Sequence, residues 1–194
     1  MKNKSLWIVL GIVAVVLLWG VSAYNGLVSK DEQVSSAWAN VETVYQRRAD
    51  LIPNLVNTVK GYAAHENETL MAVTEARAKS TSISIDPSTA TPAQVEAWMN
   101  AQGEVGAALG RLIAISENYP ELKADKNFLE LQKQLEGTEN RISTERRKYN
   151  ETVRLYNTKI RRFPTNLIAG MFGFEKRVMF EAQDGAEVAP VVEF

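Results

Sequence analysis

The sequence has no cysteine and only one histidine, and these two shortages remove a good deal of chemistry at once. Without thiols there is no disulfide framework, thiolate zinc site, iron–sulfur cluster, cysteine nucleophile or lipid-modified cysteine. His65 alone cannot build a histidine zinc site, and His65-Glu66-Asn67-Glu68 lacks the second histidine of a zincin motif. A solvated helix residue is its plainer reading. Excess charge of one sign is missing too: 22 Lys and Arg stand against 23 Asp and Glu. Binding to nucleic acid by neutralising phosphates needs a basic surplus, so that partner class is set aside. No stretch alternates with period two for long enough to make a sheet, which leaves no strand for a glycine-rich phosphate loop to follow. Carboxylates are many but spread along helix faces, where pairing with Lys or Arg one turn away is their ordinary use. The sequence therefore offers no catalytic set, no metal ligands and no cofactor site.

One long apolar run is present. From Leu6 to Ala23 there is no charge, and Ser22 is the one polar side chain. At helical rise the run is about 27 Å long, enough to cross the hydrocarbon core of a bilayer. Trp7 and Trp19 lie near its ends and Tyr24 follows, at the levels aromatic side chains favour. Lys2 and Lys4 precede the run, while Lys30, Asp31 and Glu32 beyond it show no basic excess. The positive-inside rule then places the N-terminus in the cytoplasm and the rest of the chain outside a bacterial inner or cytoplasmic membrane. Two other readings compete with a signal-anchor. One is a buried core helix, disfavoured because no later segment is apolar enough to surround it. The other is a signal peptide cleaved after Val21-Ser22-Ala23.

After the run the apolar pattern is helical. Tyr24, Leu27, Val34, Trp38, Val41, Tyr45, Ile52, Leu55, Val59 and Tyr62 follow alternating steps of three and four, interrupted by Asp31 and Arg48. This is a narrow seam of the coiled-coil kind, which needs a partner helix along its length. Pro53 bends this helix without ending it, since the phase continues across it until about Ala78. A polar loop, Ser80 to Pro87, follows. Thr91-Pro92-Ala93-Gln94 reads as a capping box opening a second helix that stops before Tyr119-Pro120. Its Gly103, Gly106 and Gly110 suggest close approach of a neighbouring helix. A third helix starts near Asp125, carries Phe128, Leu131, Leu135, Ile142, Tyr149 and Tyr156, and ends at Phe163-Pro164. The expected fold is all-α: a single transmembrane helix leading into an antiparallel bundle of three long helices plus a short C-terminal helical element. Residues 1–5 form a cytoplasmic stub, 6–23 the membrane segment, 24–182 the bundle and 183–194 a flexible tail. Short connections alternate the direction of three helices, so the end of the third should stand far from the membrane.

Several blocks resemble a known family. Ala37-Trp38-Ala39-Asn40-Val41, Tyr45-Gln46-Arg47-Arg48-Ala49-Asp50-Leu51-Ile52-Pro53-Asn54-Leu55-Val56, Glu117-Asn118-Tyr119-Pro120-Glu121-Leu122, Arg147-Lys148-Tyr149-Asn150 and Phe163-Pro164-Thr165-Asn166-Leu167-Ile168-Ala169-Gly170 are similar to the signature of the LemA family. In order, they cover the chain from the anchor to about Ala182. The resemblance implies a transmembrane helix followed by an antiparallel bundle, with no established activity. It also implies a setting beside membrane metalloproteases or other envelope proteins.

Three features are candidates for function. Arg48 puts a charge in the seam, which is costly unless paired; it either forms an ion pair with another helix or fixes a partner. The tract from Thr138 to Arg162 holds eight basic residues against three acidic ones, a solvated face or a site for anionic lipid or an acidic partner. Its tyrosines, in Tyr149-Asn150 and Tyr156-Asn157, share a face and read as core residues. Finally, Phe163 to Phe174 is unusually apolar after so charged a helix. Phe163, Pro164, Leu167, Ile168, Met171, Phe172 and Phe174 could cap the bundle, contact a second copy or another protein, or enter a membrane interface. A distal position ranks the protein contact first. The apolar end Ala189-Pro190-Val191-Val192-Glu193-Phe194 could add as a strand to a PDZ-type groove or stay idle. Together these features point to a non-enzymatic membrane-anchored scaffold or adaptor, self-associating as a homo-oligomer and held in the lipid bilayer through residues 6–23. A carboxylate- or metal-dependent hydrolase and a sensor of anionic lipid surfaces are the alternatives.

Overall fold

A computed structural model describes residues 2–181. The 183–194 tail and its terminal apolar residues lie outside the described part. The described chain is helical without strands: α1 (Lys2–Tyr62), α2 (Asn67–Ser82), α3 (Pro92–Ser116), α4 (Pro120–Lys123), α5 (Lys126–Arg161) and α6 (Thr165–Met171).

The apolar run and the seam form one helix. α1 continues through 61 residues, about 90 Å, with Pro53 inside it. Its first part is nearly all exposed, whereas Leu27, Val34, Trp38, Val41, Ile52, Leu55 and Val59 are buried. The exposed part is long and apolar enough to cross a membrane. The partner that the seam needs is α5, which runs antiparallel along it. Tyr62 Oη donates to Asp125 Oδ2 at 2.9 Å. Fourteen residues back along α1 and fourteen on along α5, Arg48 meets Glu139. Ten further on, the Trp38 and Tyr149 rings lie 5.3 Å apart. The register holds without a slip.

The sequence reading erred on where the first long helix turns. In place of one helix to Ala78, the chain reverses over residues 63–66 and α2 returns along α1. The reversal has equal arms: Arg77 Nε donates to the Ala49 carbonyl at 2.8 Å, each residue fourteen from Ala63. That contact also answers a deficit created by Pro53. In an α-helix the Ala49 carbonyl would accept from the amide of residue 53, and proline has none. The Arg77 guanidinium fills the vacant acceptor. Replacing Arg77 by methionine is therefore expected to destabilise the protein by about 1–2 kcal/mol. In the presence of Pro53→Ala, which restores the amide, the loss should shrink; a double-mutant cycle by urea denaturation measures the coupling.

The capping box opens α3 as expected. The Thr91 amide donates to Gln94 Oε1 at 2.9 Å, and Thr91 Oγ1 accepts from the Gln94 amide at 3.3 Å. The helix buries Val95, Trp98, Val105, Leu109 and Leu112. Gly106 and Gly110 do not serve close packing: a Cβ on either would meet nothing within 4 Å among the described residues.

The extra reversal changes the parity of the bundle. With α1 outward, α2 back, α3 outward and α5 back, the end of α5 comes to the anchor. Lys159 Nζ lies 3.7 Å from where a Cβ on Gly26 would stand. This corrects the expectation that Phe163–Phe174 lies far from the membrane. Two apolar clusters fill the interior. The one nearer the anchor joins Leu27 to Tyr45 with Tyr149 to Ile160 and Phe180, and the farther one joins Ile52 to Ala63 with Val105 to Leu135.

Candidate functional site

Both charges that interrupt the seam are answered by residues far along the chain. Arg48 is buried at mid-bundle between the two apolar clusters. Its Nη1 donates to Glu139 Oε1 of α5 at 3.1 Å, and its Nη2 to the carbonyl and Oε1 of Gln102 of α3 at 2.9 and 2.7 Å. The guanidinium also lies 5.0 Å from the centre of the Tyr45 ring. One side chain thus ties three helices. Burial pushes the Tyr45 hydroxyl pKa up, opposed by the cationic Arg146 and Arg48 nearby. A groove of about 800 Å³ opens here, with Tyr45, Arg48, Gly103, Gly106, Glu139 and Arg146 in its wall.

Asp31, the other interruption, accepts from Arg177 Nη2 at 2.6 Å and from its Nε at 3.1 Å. Arg177 Nη1 also donates to the Ser88 carbonyl, and its guanidinium sits 5.4 Å from the Tyr156 ring centre. Arg177 belongs to an extended strap that runs back along α5 after α6. Two asparagines hold the strap as a β-strand neighbour would. Asn157 Nδ2 donates to the Arg177 carbonyl and its Oδ1 accepts from the Arg177 amide, both at 2.9 Å. Asn150 does the same for Phe180, at 2.8 Å in both directions. Phe180 then completes an aromatic layer against Trp38, Trp98 and Tyr149, with centroids 4.9 to 5.9 Å apart.

The strap separates the two heptad-spaced tyrosines. Tyr149 Oη donates to the Val178 carbonyl at 3.0 Å, whereas Tyr156 Oη is buried with no partner among the described residues. Tyr149→Phe is expected to cost about 1 kcal/mol and Tyr156→Phe to be neutral or stabilising, in denaturation at neutral pH. Burial also raises the Tyr149 pKa from its ordinary 10.0 to about 12. A hydroxyl that deprotonates later in the folded chain leaves stability unchanged below pH 10 and weakens it as pH rises towards 12. The expected loss is about 2–3 kcal/mol from this group, read by alkaline denaturation with tyrosinate absorbance.

The apolar element lies at the anchor. Ile168 Cδ1 is 3.9 Å from where a Cβ on Gly20 would stand, and the Phe172 and Phe174 rings sit 4.8 and 5.8 Å from that of Tyr24. Gly173 ends α6 in the left-handed region, φ 73°, so that the Phe174 amide can donate back to the Ala169 carbonyl at 2.9 Å. Ala169 is buried, Pro164, Ile168 and Phe174 are half-buried, and Phe163, Leu167, Met171 and Phe172 remain exposed. Two of the eight basic residues of the tract pair with carboxylates three residues away, Lys148 with Glu145 and Arg154 with Glu151. Among the described residues, no three carboxylate or histidine side chains converge as a cation site would need.

A family model described as "LemA family" matches residues 37–194. Magnetosome protein MamQ 2 of Paramagnetospirillum magneticum is 27% identical over 186 residues, covering 87% of this chain and 68% of its own length. Magnetosome protein MamQ of Magnetospirillum gryphiswaldense is similar to the same extent. Protein LemA of Metamycoplasma hominis is 26% identical over 164 residues, 84% of this chain and 71% of its own.

Proposed function

The chain belongs to the LemA family, and on that premise we propose that it is a non-enzymatic scaffold or adaptor, held on the outer face of a bacterial cytoplasmic membrane by α1. The observation that carries this reading is the continuity of α1 from the apolar run into the bundle core. A helix packed along α5 from Leu27 onward is a rigid stalk, suited to holding a surface at a fixed height above the bilayer. The two seam charges support the same reading, because Arg48 ties α1 to α3 and α5 and Asp31 ties α1 to the strap. Partners in this reading are envelope proteins, membrane metalloproteases among them. The seam that suggested self-association is covered by α5, so a second copy would have to use another face.

Photo-crosslinking in cells from the exposed Met71 and Leu129, with mass photometry of the full chain in mild detergent, tests the proposal. Specific crosslinks to a membrane or envelope protein, or to a second copy, are expected. A strictly monomeric chain that captures nothing overturns the scaffold role. Protease access in spheroplasts tests sidedness: the bundle should be cleaved from outside, and its protection would reverse the topology.

A further inference from the structure

We propose that α6 is a second membrane contact, lying in the headgroup–acyl boundary of the leaflet from which the Trp19–Tyr24 end of α1 emerges. The inference rests on α1 spanning the bilayer, and three observations carry it further. The first is height. Ile168 touches α1 at Gly20 and Phe172 touches it at Tyr24, so α6 lies beside the last turn of the apolar run. Gly20 is about 5 Å inside the end of that run, the depth at which interfacial helices rest.

The second is the face presented. Leu167 and Met171 fall in one row of α6, four residues apart, and are 58% and 75% exposed, while Phe163 in the turn before the helix is 80% exposed. Phe172 beside them is 56% exposed. The inward side is already satisfied by Ala169 and Ile168 against the core, and no described residue covers this outer row. The third is charge. Arg161, Arg162 and Lys176, with Glu175 opposing, are exposed on the chain entering and leaving α6, where lipid phosphates would stand. An apolar row continuous with the exposed surface of the anchor and flanked by basic side chains matches a bilayer better than a second copy. A second copy would also have to displace lipid from α1 to reach it.

The absence of native cysteine makes the test direct. Single substitutions Met171→Cys, Val13→Cys and Met71→Cys in the full chain each carry an environment-sensitive fluorophore at an exposed site, so no packed neighbour is displaced. The protein is reconstituted in vesicles of phosphatidylcholine and phosphatidylglycerol, with or without lipid spin-labelled at a shallow or a deep acyl position. Expected are a blue-shifted emission at Met171 that loses most of its intensity to the shallow spin label, quenching at Val13 by the deep one, and none at Met71. Quenching at Val13 without quenching at Met171 refutes the contact and leaves the anchor intact. This holds equally if the Met171 label is shielded from aqueous quenchers, because protein then covers it. Absence of quenching at both positions refutes the anchor itself, and the contact with it.

Discussion

Replacing Arg48 by alanine is expected to lower the stability of the protein by about 3 kcal/mol, from the loss of charged hydrogen bonds and the packing of a long buried side chain. The ion pair with Glu139 is the smaller part. The Glu139 side chain is 45% exposed, so solvent screens it and Glu139→Gln should cost under about 1 kcal/mol. The larger part comes from Gln102, whose carbonyl and Oε1 both lose a donor in a buried setting, and from the space left beside Tyr45. Arg48→Met restores much of the volume and no hydrogen bond, and should fall between the two. Urea denaturation followed by helical circular dichroism ranks the three variants. A loss in Glu139→Gln equal to that in Arg48→Ala would show that charge pairing, not helix tying, is the role of Arg48.

Removing both strap asparagines is expected to have a comparable effect. Asn150→Ala with Asn157→Ala deletes four hydrogen bonds to the backbone of Arg177 and Phe180, together about 2–4 kcal/mol. The strap makes few other polar contacts with α5, so it should leave before the bundle unfolds. Phe180 would then quit its layer with Trp38 and Trp98, shifting tryptophan emission to the red, and the segment around Met179 would become open to protease. Asn→Asp at both positions keeps the acceptors and loses the donors, and should fall between wild type and the double alanine variant.

Much of this architecture was legible in the sequence, and what was not has physical causes. The apolar N-terminal helix, the seam and the capping box are local or periodic features, and each formed where its residues predict. The reversal at residues 63–66 has almost no local signal. Gly61 just before it is a weak helix former, but Ala63 and Ala64 are good ones, and the α2 N-terminus has no side-chain cap. Packing of Leu70 and Val73 with α3 decides it, and a sequence read locally does not contain that contact. One missed reversal then moved the end of α5 from the far side of the bundle to the anchor. The strap is too short for a period-two pattern. Its trace was the repeated Tyr-Asn pair at residues 149–150 and 156–157, in which the asparagines matter as much as the tyrosines. Arg48 was visible as an anomaly, and Asp31 likewise; their partners lie 91 and 146 residues away.

The place of α6 beside the membrane end of α1 is the claim on which the proposed membrane contact depends, and a single distance tests it. Tyr24→Cys with Phe172→Cys, introduced into the cysteine-free full chain in membranes, should be joined within one molecule by a short bis-maleimide. Ala78→Cys with Phe172→Cys serves as the control. Arg77 lies beside Ala49, about 40 Å along α1 from the level of α6, so this pair should remain unlinked. Mass spectrometry of the monomer reads both results. A link between positions 78 and 172 with none between 24 and 172 would restore the three-helix path, carry α6 away from the bilayer and contradict the account.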